Sequence, residues 1–418
     1  MAQSKEKQFL KYLEELNEFK FDFTLSRIKR VLKRLRNPQD TFSVIHIAGS
    51  NGKGSVACYL ESVLRENNVR TGLYTSPHLK DVRERIIISG RPVAKNKFYT
   101  EGLRLRNRVK KSGIKLTYFE FLTVFAFVLF SKAGVDTAVV EAGLGGRYDA
   151  TNVSYRSKLL SVITSVSKEH TNYLGKTVLA ILKEKEQIAG KTPLLANVRE
   201  KSLVNYLKRS KRNVYFADDF FTPAGAQHYT KGLVVILNDV LRGNEPVLET
   251  RMPELAQAEN IKTVMAACSL LASQGTGLSW PAIRKGIKNA VLPGRLTLNK
   301  KGYYVSVAHN PAAIDSMLSS VEAMHGPEIT CVFSVLKDKE VEDMVKVMAK
   351  RQGIKLILTQ ISNERAISIE KLVKIVVKYG IKHFVEKDNK KAMALANKLK
   401  GSGTVVVAGS FYLAGKYI

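Results

Sequence analysis

Residues 46–55, His46-Ile47-Ala48-Gly49-Ser50-Asn51-Gly52-Lys53-Gly54-Ser55, constrain this chain more than any other stretch. Ahead of them, Ser43-Val44-Ile45-His46-Ile47 has the apolar, β-branched character of a short buried strand. Behind them, residues 56–64 space their apolar side chains as a helix does. A strand that runs through a glycine-rich turn into a helix start is a cradle for an anion. Glycines let the backbone approach closely, and the first N–H groups of the helix point at the ligand. Lys53 supplies a positive charge for the β- and γ-phosphates of a nucleotide, and the Ser55 hydroxyl is a ligand for Mg2+. The spacing departs from the common phosphate loop: only Ser50-Asn51 separate Gly49 from Gly52-Lys53, and Gly54 intervenes before Ser55. The competing reading is a glycine-rich turn that binds nothing.

Length and composition bound the rest. With 418 residues, 45% hydrophobic and 25% charged, the chain can build two domains with full cores. Cys58, Cys268 and Cys331 lie far apart and form no CxxC pair, which argues against a disulfide framework or a zinc site and for a reducing, cytoplasmic setting. The first residues mix both charges, unlike a targeting peptide, and the longest apolar run, 119–130, is too short to span a bilayer. No membrane partner is expected.

The net charge of +30 attracts anions, so a nucleic-acid partner competes with anionic small molecules. The basic runs Arg27-Ile28-Lys29-Arg30 and Lys33-Arg34-Leu35-Arg36 lack interleaved aromatics, so they read as a solvated helix face rather than a nucleic-acid site.

Along the chain, residues 6–36 read as two helices broken near Phe19-Lys20-Phe21-Asp22-Phe23. After the cradle come strands at 69–74 and 85–90, a helix over 119–133, and a buried strand at 136–140 ending in Gly143-Leu144-Gly145-Gly146-Arg147. Strands at 159–166 and 193–196 then alternate with helices at 176–189 and 200–210, which predicts a doubly wound parallel sheet. Residues 213–250 read as a small antiparallel addition, with helices at 253–274 and 280–289. Leu292-Pro293-Gly294-Arg295 carries both chain punctuators and marks a linker, 292–296, between domains 1–291 and 297–418. Beyond it a second, smaller α/β, Rossmann-like domain begins, with strands at 303–307, 329–333, 354–358 and 404–408.

In a doubly wound sheet, loops after parallel strands gather at one edge. Ser55, Ser76, Glu141 and His170 all occupy such loops, and a hydroxyl, a carboxylate and an imidazole suit a divalent ion that holds a nucleotide. Singly, each has an ordinary reading as a cap or a surface residue.

The run 46–55 resembles the signature of the folylpolyglutamate synthase/dihydrofolate synthase family within the Mur-ligase superfamily. So do Thr75-Ser76-Pro77-His78-Leu79 with Arg83-Glu84-Arg85-Ile86, and Glu141-Ala142-Gly143-Leu144-Gly145-Gly146-Arg147-Tyr148-Asp149-Ala150-Thr151-Asn152. Leu292-Pro293-Gly294-Arg295-Leu296, Ala308-His309-Asn310-Pro311, Leu336-Lys337-Asp338-Lys339 and Gly409-Ser410-Phe411-Tyr412 follow in the same order.

The resemblance implies an N-terminal P-loop ATPase domain, a C-terminal glutamate-ligase domain, and ATP-dependent ligation of L-glutamate to dihydropteroate or to the glutamate tail of a folate. It implies ATP contacts from Gly49, Asn51, Gly52, Lys53, Gly54, Ser55, Gln257, Asn260 and Arg295. Two Mg2+ ions would be held by Ser55, Ser76, Glu141, His170 and a carbamylated Lys185. Such a carbamate needs a neutral amine, hence a depressed pKa. His309, Asn310 and Arg85 would serve the substrates, and a monomer with no nucleic-acid partner is implied.

The chain departs from the pattern in three places. Ser306-Val307 stand where the family usually carries Asp-Gly, a nucleotide contact; Ser167-Lys168-Glu169 replace Gly-x-Asp before His170; and Glu254 and Ala256 replace a glycine and a histidine ahead of Gln257. These departures leave open a non-catalytic nucleotide-binding relative, a Mur-type ligase for another carboxylate is a further alternative, and the +30 charge leaves open a basic nucleic-acid-binding P-loop ATPase.

Overall fold

The computed structural model describes residues 2–16, 24–229 and 232–418, so the helix break expected at 19–23 lies outside the described residues. The chain divides into two units. The first takes Met1–Ala224, Ile236–Leu248 and Glu259–Ala290; the second takes Gly225–Val235, Glu249–Ala258 and Val291–Ile418.

The first unit is built on an eight-stranded sheet in the order β4-β3-β2-β5-β1-β6-β7-β8. Its strands are β1 (Ser43–Ala48), β2 (Thr71–Tyr74), β3 (Ile86–Ile88), β4 (Arg91–Pro92), β5 (Thr137–Glu141), β6 (Ser157–Ile163), β7 (Leu194–Ala196) and β8 (Val214–Phe216). β1 lies between β5 and β6 and is parallel to both, with Ile47 opposite Glu141 and Val162. The sheet is not parallel throughout, because β3 pairs antiparallel with β2 and with β4. A parallel return needs a crossover of a dozen or more residues, usually helical. The link from β2 to β3 holds only the 3-10 turn Val82–Arg85, so that edge folds back as hairpins.

The helix Tyr118–Ala133 fills the core on one face of the sheet. Thr117 and Glu120 form its capping box and Gly134, at φ 62°, ends it. Phe121 and Phe125 pack against Phe9 of the helix Ala2–Glu15 with ring centroids 6.0 and 5.7 Å apart. A helix absent from the sequence reading, Lys95–Lys111, packs here as well. Its buried Phe98, Gly102, Leu105 and Val109 recur at helical spacing among many cations. On the basic helix Ser26–Arg34, Ile28, Val31 and Leu32 are buried while Lys29, Arg30, Lys33 and Arg34 face solvent.

Within residues 221–250, strands β9 (Phe221–Tyr229), β10 (Gly232–Asp239) and β11 (Val247–Thr250) make a separate three-stranded sheet. The second unit carries a six-stranded sheet, β12-β13-β17-β14-β15-β16. Its strands are β12 (Thr297–Leu298), β13 (Tyr304–Val305), β14 (Ile329–Phe333), β15 (Ile354–Leu358), β16 (Lys382–Val385) and β17 (Thr404–Ala408). Only β12 runs antiparallel. β16 escaped the sequence reading because it is a half-exposed edge strand without a buried run. The helix Asn389–Leu399, capped by Asp388, escaped with it.

Candidate active site

Because β1, β2, β5, β6 and β7 are parallel, the loops after them open at the same edge of the first unit's sheet. The turn after β1 is held there by two close approaches that only glycine permits. Gly52 sits at φ +84° and caps the helix Lys53–Glu66, and a Cβ on it would stand 2.2 Å from Asn260 Oδ1. A Cβ on Gly49 would stand 2.0 Å from Thr164 Oγ1. The loop after β6 straps the turn down: Ser50 N–H donates to Ser165 O at 2.7 Å, Asn51 N–H to Ser165 Oγ at 3.0 Å, and Thr164 Oγ to Asn51 O at 2.6 Å. Lys53 arches over the turn and donates to Gly49 O at 2.8 Å and Ser50 O at 3.1 Å.

A cavity opens beside the turn, lined by Gly49, Lys53, the 142–145 loop, Glu169, His170 and Lys185. Lys185, only 2% exposed, donates to Gly49 O at 2.9 Å and pairs with Glu169 Oε1 at 2.6 Å. Burial pushes the Lys185 ammonium down to about 8, with Glu169 resisting and Lys53 assisting. For Glu169 burial works the other way, but Lys185 and Lys53 outweigh it and bring the carboxyl down to about 2. Glu169, read from sequence only as a departure from pattern, thus faces the cavity, whereas its neighbour Lys168 is exposed.

The other wall is fixed from behind. Asp149 is buried and accepts N–H bonds from Leu144, at 2.7 Å, and from Thr151, at 2.9 Å. Thr151 Oγ also meets His46 Nε2, 2.7 Å away, and so ties the 143–146 loop to β1. Sequence reasoning missed Asp149; its place inside the long run 141–152 was the available signal.

Glu141, at the end of β5 and 4% exposed, accepts the Ser76 N–H at 3.0 Å. His170, at φ 46°, begins the short helix Thr171–Leu174. Ser55 Oγ is buried and has no hydrogen-bond partner, as expected of a hydroxyl kept for a cation or phosphate. Among the described residues, no three His, Cys, Asp or Glu side chains cluster tightly enough to hold a metal by themselves, so any such site needs further donors.

Arg85 is not brought to this cavity. It is buried, donates from Nε to His78 Nδ1 at 2.8 Å, and lies over the Tyr118 ring at 5.3 Å. Asn260 reaches the cradle as described, while Gln257, Arg295, His309 and Asn310 belong to the second unit. There, Asn310 caps the helix Pro311–His325, and His309 Nδ1 lies 2.8 Å from Val307 O.

A glycine-rich turn and its cavity at the switch point of an α/β sheet, followed in the chain by a second α/β unit, form the organisation of a Mur-type ligase, and the family matches place the chain in that class. The Mur ligase middle domain model matches residues 47–268, and the Mur ligase, glutamate ligase domain model matches residues 294–411. The chain belongs to the folylpolyglutamate synthase/dihydrofolate synthase family of these enzymes.

It is 30% identical over 410 residues to a protein of Schizosaccharomyces pombe named "Probable dihydrofolate synthetase", spanning 94% of this chain and 96% of that one. The folylpolyglutamate synthase of Mycobacterium tuberculosis complexed with ADP superposes with a TM-score of 0.88 at 27% identity, covering 100% of this chain and 98% of that chain. A bifunctional folylpolyglutamate synthase/dihydrofolate synthase with Mn, AMPPNP and L-glutamate bound gives 0.83 at 26%, covering 98% and 96%. Among the described residues, no helix is long and apolar enough to cross a membrane.

Proposed function

We propose that this enzyme joins L-glutamate to the carboxylate of dihydropteroate, of a folate's glutamate tail, or of both, through an acyl phosphate made from ATP. A carboxylate oxygen attacks the γ-phosphorus and ADP leaves; the glutamate amine then attacks the acyl carbon, phosphate leaves, and the amine gives up its proton. A carboxylate is a poor electrophile until phosphorylated, so the site must bring anions together and neutralise their repulsion. The observation that carries this reading is the convergence of Lys53, Lys185, Glu169 and His170 on the Gly49 turn.

In this reading Lys53 holds the β- and γ-phosphates, with the N–H groups of Gly49, Asn51, Gly52 and Gly54 around them. Ser55, Ser76, Glu141 and His170 would hold Mg2+, and the unpartnered Ser55 hydroxyl fits that role. Bound there, Mg2+ offsets phosphate charge. Burial lowers the pKa of Lys185 to about 8, which raises the fraction of neutral amine from which a carbamate serving a second ion would form. Gln257 and Asn260 are assigned to adenine, Arg295 to the phosphates, and His309 and Asn310 to phosphate and glutamate.

We assign residues 1–291 to ATP binding, 292–296 to a linker and 297–418 to glutamate ligation, in a cytoplasmic monomer. The excess positive charge steers ATP, glutamate and folates, all anions. Phosphate release measured with dihydropteroate and with tetrahydrofolate, each with and without glutamate, tests the reading. Release that needs acceptor and glutamate together supports it. A folded protein with no turnover on any folate acceptor points to another carboxylate.

A further inference from the structure

Glu254 is a buried carboxylate in the second unit, 8% exposed, with no part in the chemistry assigned above. Its Oε1 accepts the Ser306 hydroxyl at 2.9 Å, and Gln257 also hydrogen-bonds to the carboxyl. Ser306 Oγ in turn accepts the Ala308 N–H at 3.2 Å, and Ser306 N–H donates to Val407 O at 2.9 Å. One residue further on, Val307 N–H donates to Gly294 O at 2.9 Å. The turn that presents His309 and the corner that presents Arg295 are therefore one hydrogen-bonded body, and Glu254 is fastened to it.

Arg295 is half-buried, and its Nε is buried with no hydrogen-bond partner. Burial raises the Glu254 carboxyl, and the Arg295 charge is the strongest influence bringing it back. A buried, unspent N–H on a half-buried cation is costly. Both Glu254 and Ser306 are departures from the sequence pattern, which carries a glycine at 254 and an acid at 306. In the structure these two departures are hydrogen-bonded to each other.

We infer that Glu254 is a positioning residue for the 306–309 turn and, through the Val307–Gly294 hydrogen bond, for the corner that presents Arg295, placing a carboxylate beside position 306 where the pattern carries its own acid. The inference rests on the ligase reading, because Arg295 matters to turnover only if it serves the phosphates. It removes the reason for reading Ser306 as the mark of a lost activity.

The test moves the carboxylate. Values of kcat and KM for ATP, with melting temperatures, are compared for the parent enzyme, Glu254→Gln, Glu254→Gly, and Glu254→Gly combined with Ser306→Asp. Losing the acid should raise KM for ATP by roughly tenfold or more, and the combined variant should recover to within about threefold of the parent. A purely structural role predicts a lowered melting temperature and no rescue. Should Glu254→Gly fail to fold, Glu254→Gln with and without Ser306→Asp provides the same comparison. Parental KM and kcat in Glu254→Gln, or a folded combined variant no better than its single parent, would overturn the inference. A parent enzyme that turns over no ATP would instead overturn the ligase reading, and this inference with it.

Discussion

Lys185 and Glu169 form a 2.6 Å ion pair in which the lysine is buried and its ammonium also donates to the Gly49 carbonyl. The pair joins the helix Val178–Lys185 to the loop after β6 at the base of the Gly49 turn. Replacing Lys185 with alanine should lower turnover by at least about a hundredfold, and short carboxylic acids that fill the space of a carbamate should restore part of it. Undiminished turnover in Lys185→Ala would remove this lysine from the metal-binding assignment.

The proposed phosphate role of Lys53 is open to a direct test. Its ammonium donates to the carbonyls of Gly49 and Ser50, both in its own turn, so Lys53→Ala should melt within a few degrees of the parent. Phosphate transfer should fall by about a thousandfold or more. A melting curve and a coupled ADP assay on the same preparation separate the two effects.

Gly52 tests the geometry of the turn. Alanine there must adopt φ +84° and bring its Cβ to 2.2 Å from Asn260 Oδ1. The backbone strain alone costs roughly 1–2 kcal/mol, and displacing Asn260 adds to it. We expect a lower melting temperature together with a weaker KM for ATP. Alanine at Gly113, which has positive φ but open space around it, should cost stability without changing KM.

His78 makes stability depend on pH. Its Nδ1 accepts from Arg85 Nε at 2.8 Å, so the folded protein needs the ring neutral. Burial, with Arg85 adding to it, lowers its pKa from 6.5 to about 3. Between these values the unfolded chain takes up a proton that the folded chain refuses. The stabilisation is therefore complete above about pH 6.5 and is lost as pH falls toward 3, by up to about 1.4 kcal/mol per pH unit. Denaturant titrations at stepped pH should show a flatter acid limb for His78→Gln than for the parent.

How far the sequence could be read depended on the range of the interactions involved. The cradle was legible because the backbone conformation of Gly52 and the close approaches at Gly49 and Gly52 leave a mark on residue type itself. The parallel core around β1 was legible from apolar runs alternating with helices. Lys185 was reached through resemblance alone, since a lysine inside Glu184-Lys185-Glu186 has the local pattern of a solvated helix. Its burial comes from contacts with Gly49 and Glu169, far away in the chain. The same limit hid the antiparallel β3–β4 edge, the grouping of 225–235 and 249–258 with the second unit, and the meeting of Glu254 with Ser306. Each is a tertiary fact without a local period.

The central claim is that ATP activates the acceptor carboxylate as an acyl phosphate, which the glutamate amine then displaces, and an oxygen label follows that step directly. The acceptor is prepared with 18O in its reacting carboxylate, turned over with ATP and L-glutamate, and the released phosphate is weighed by mass spectrometry. An acyl phosphate gives up one labelled oxygen when the amine displaces it, so the account predicts phosphate carrying a single 18O derived from the acceptor. Phosphate free of label, accompanying a genuine amide product, would contradict it.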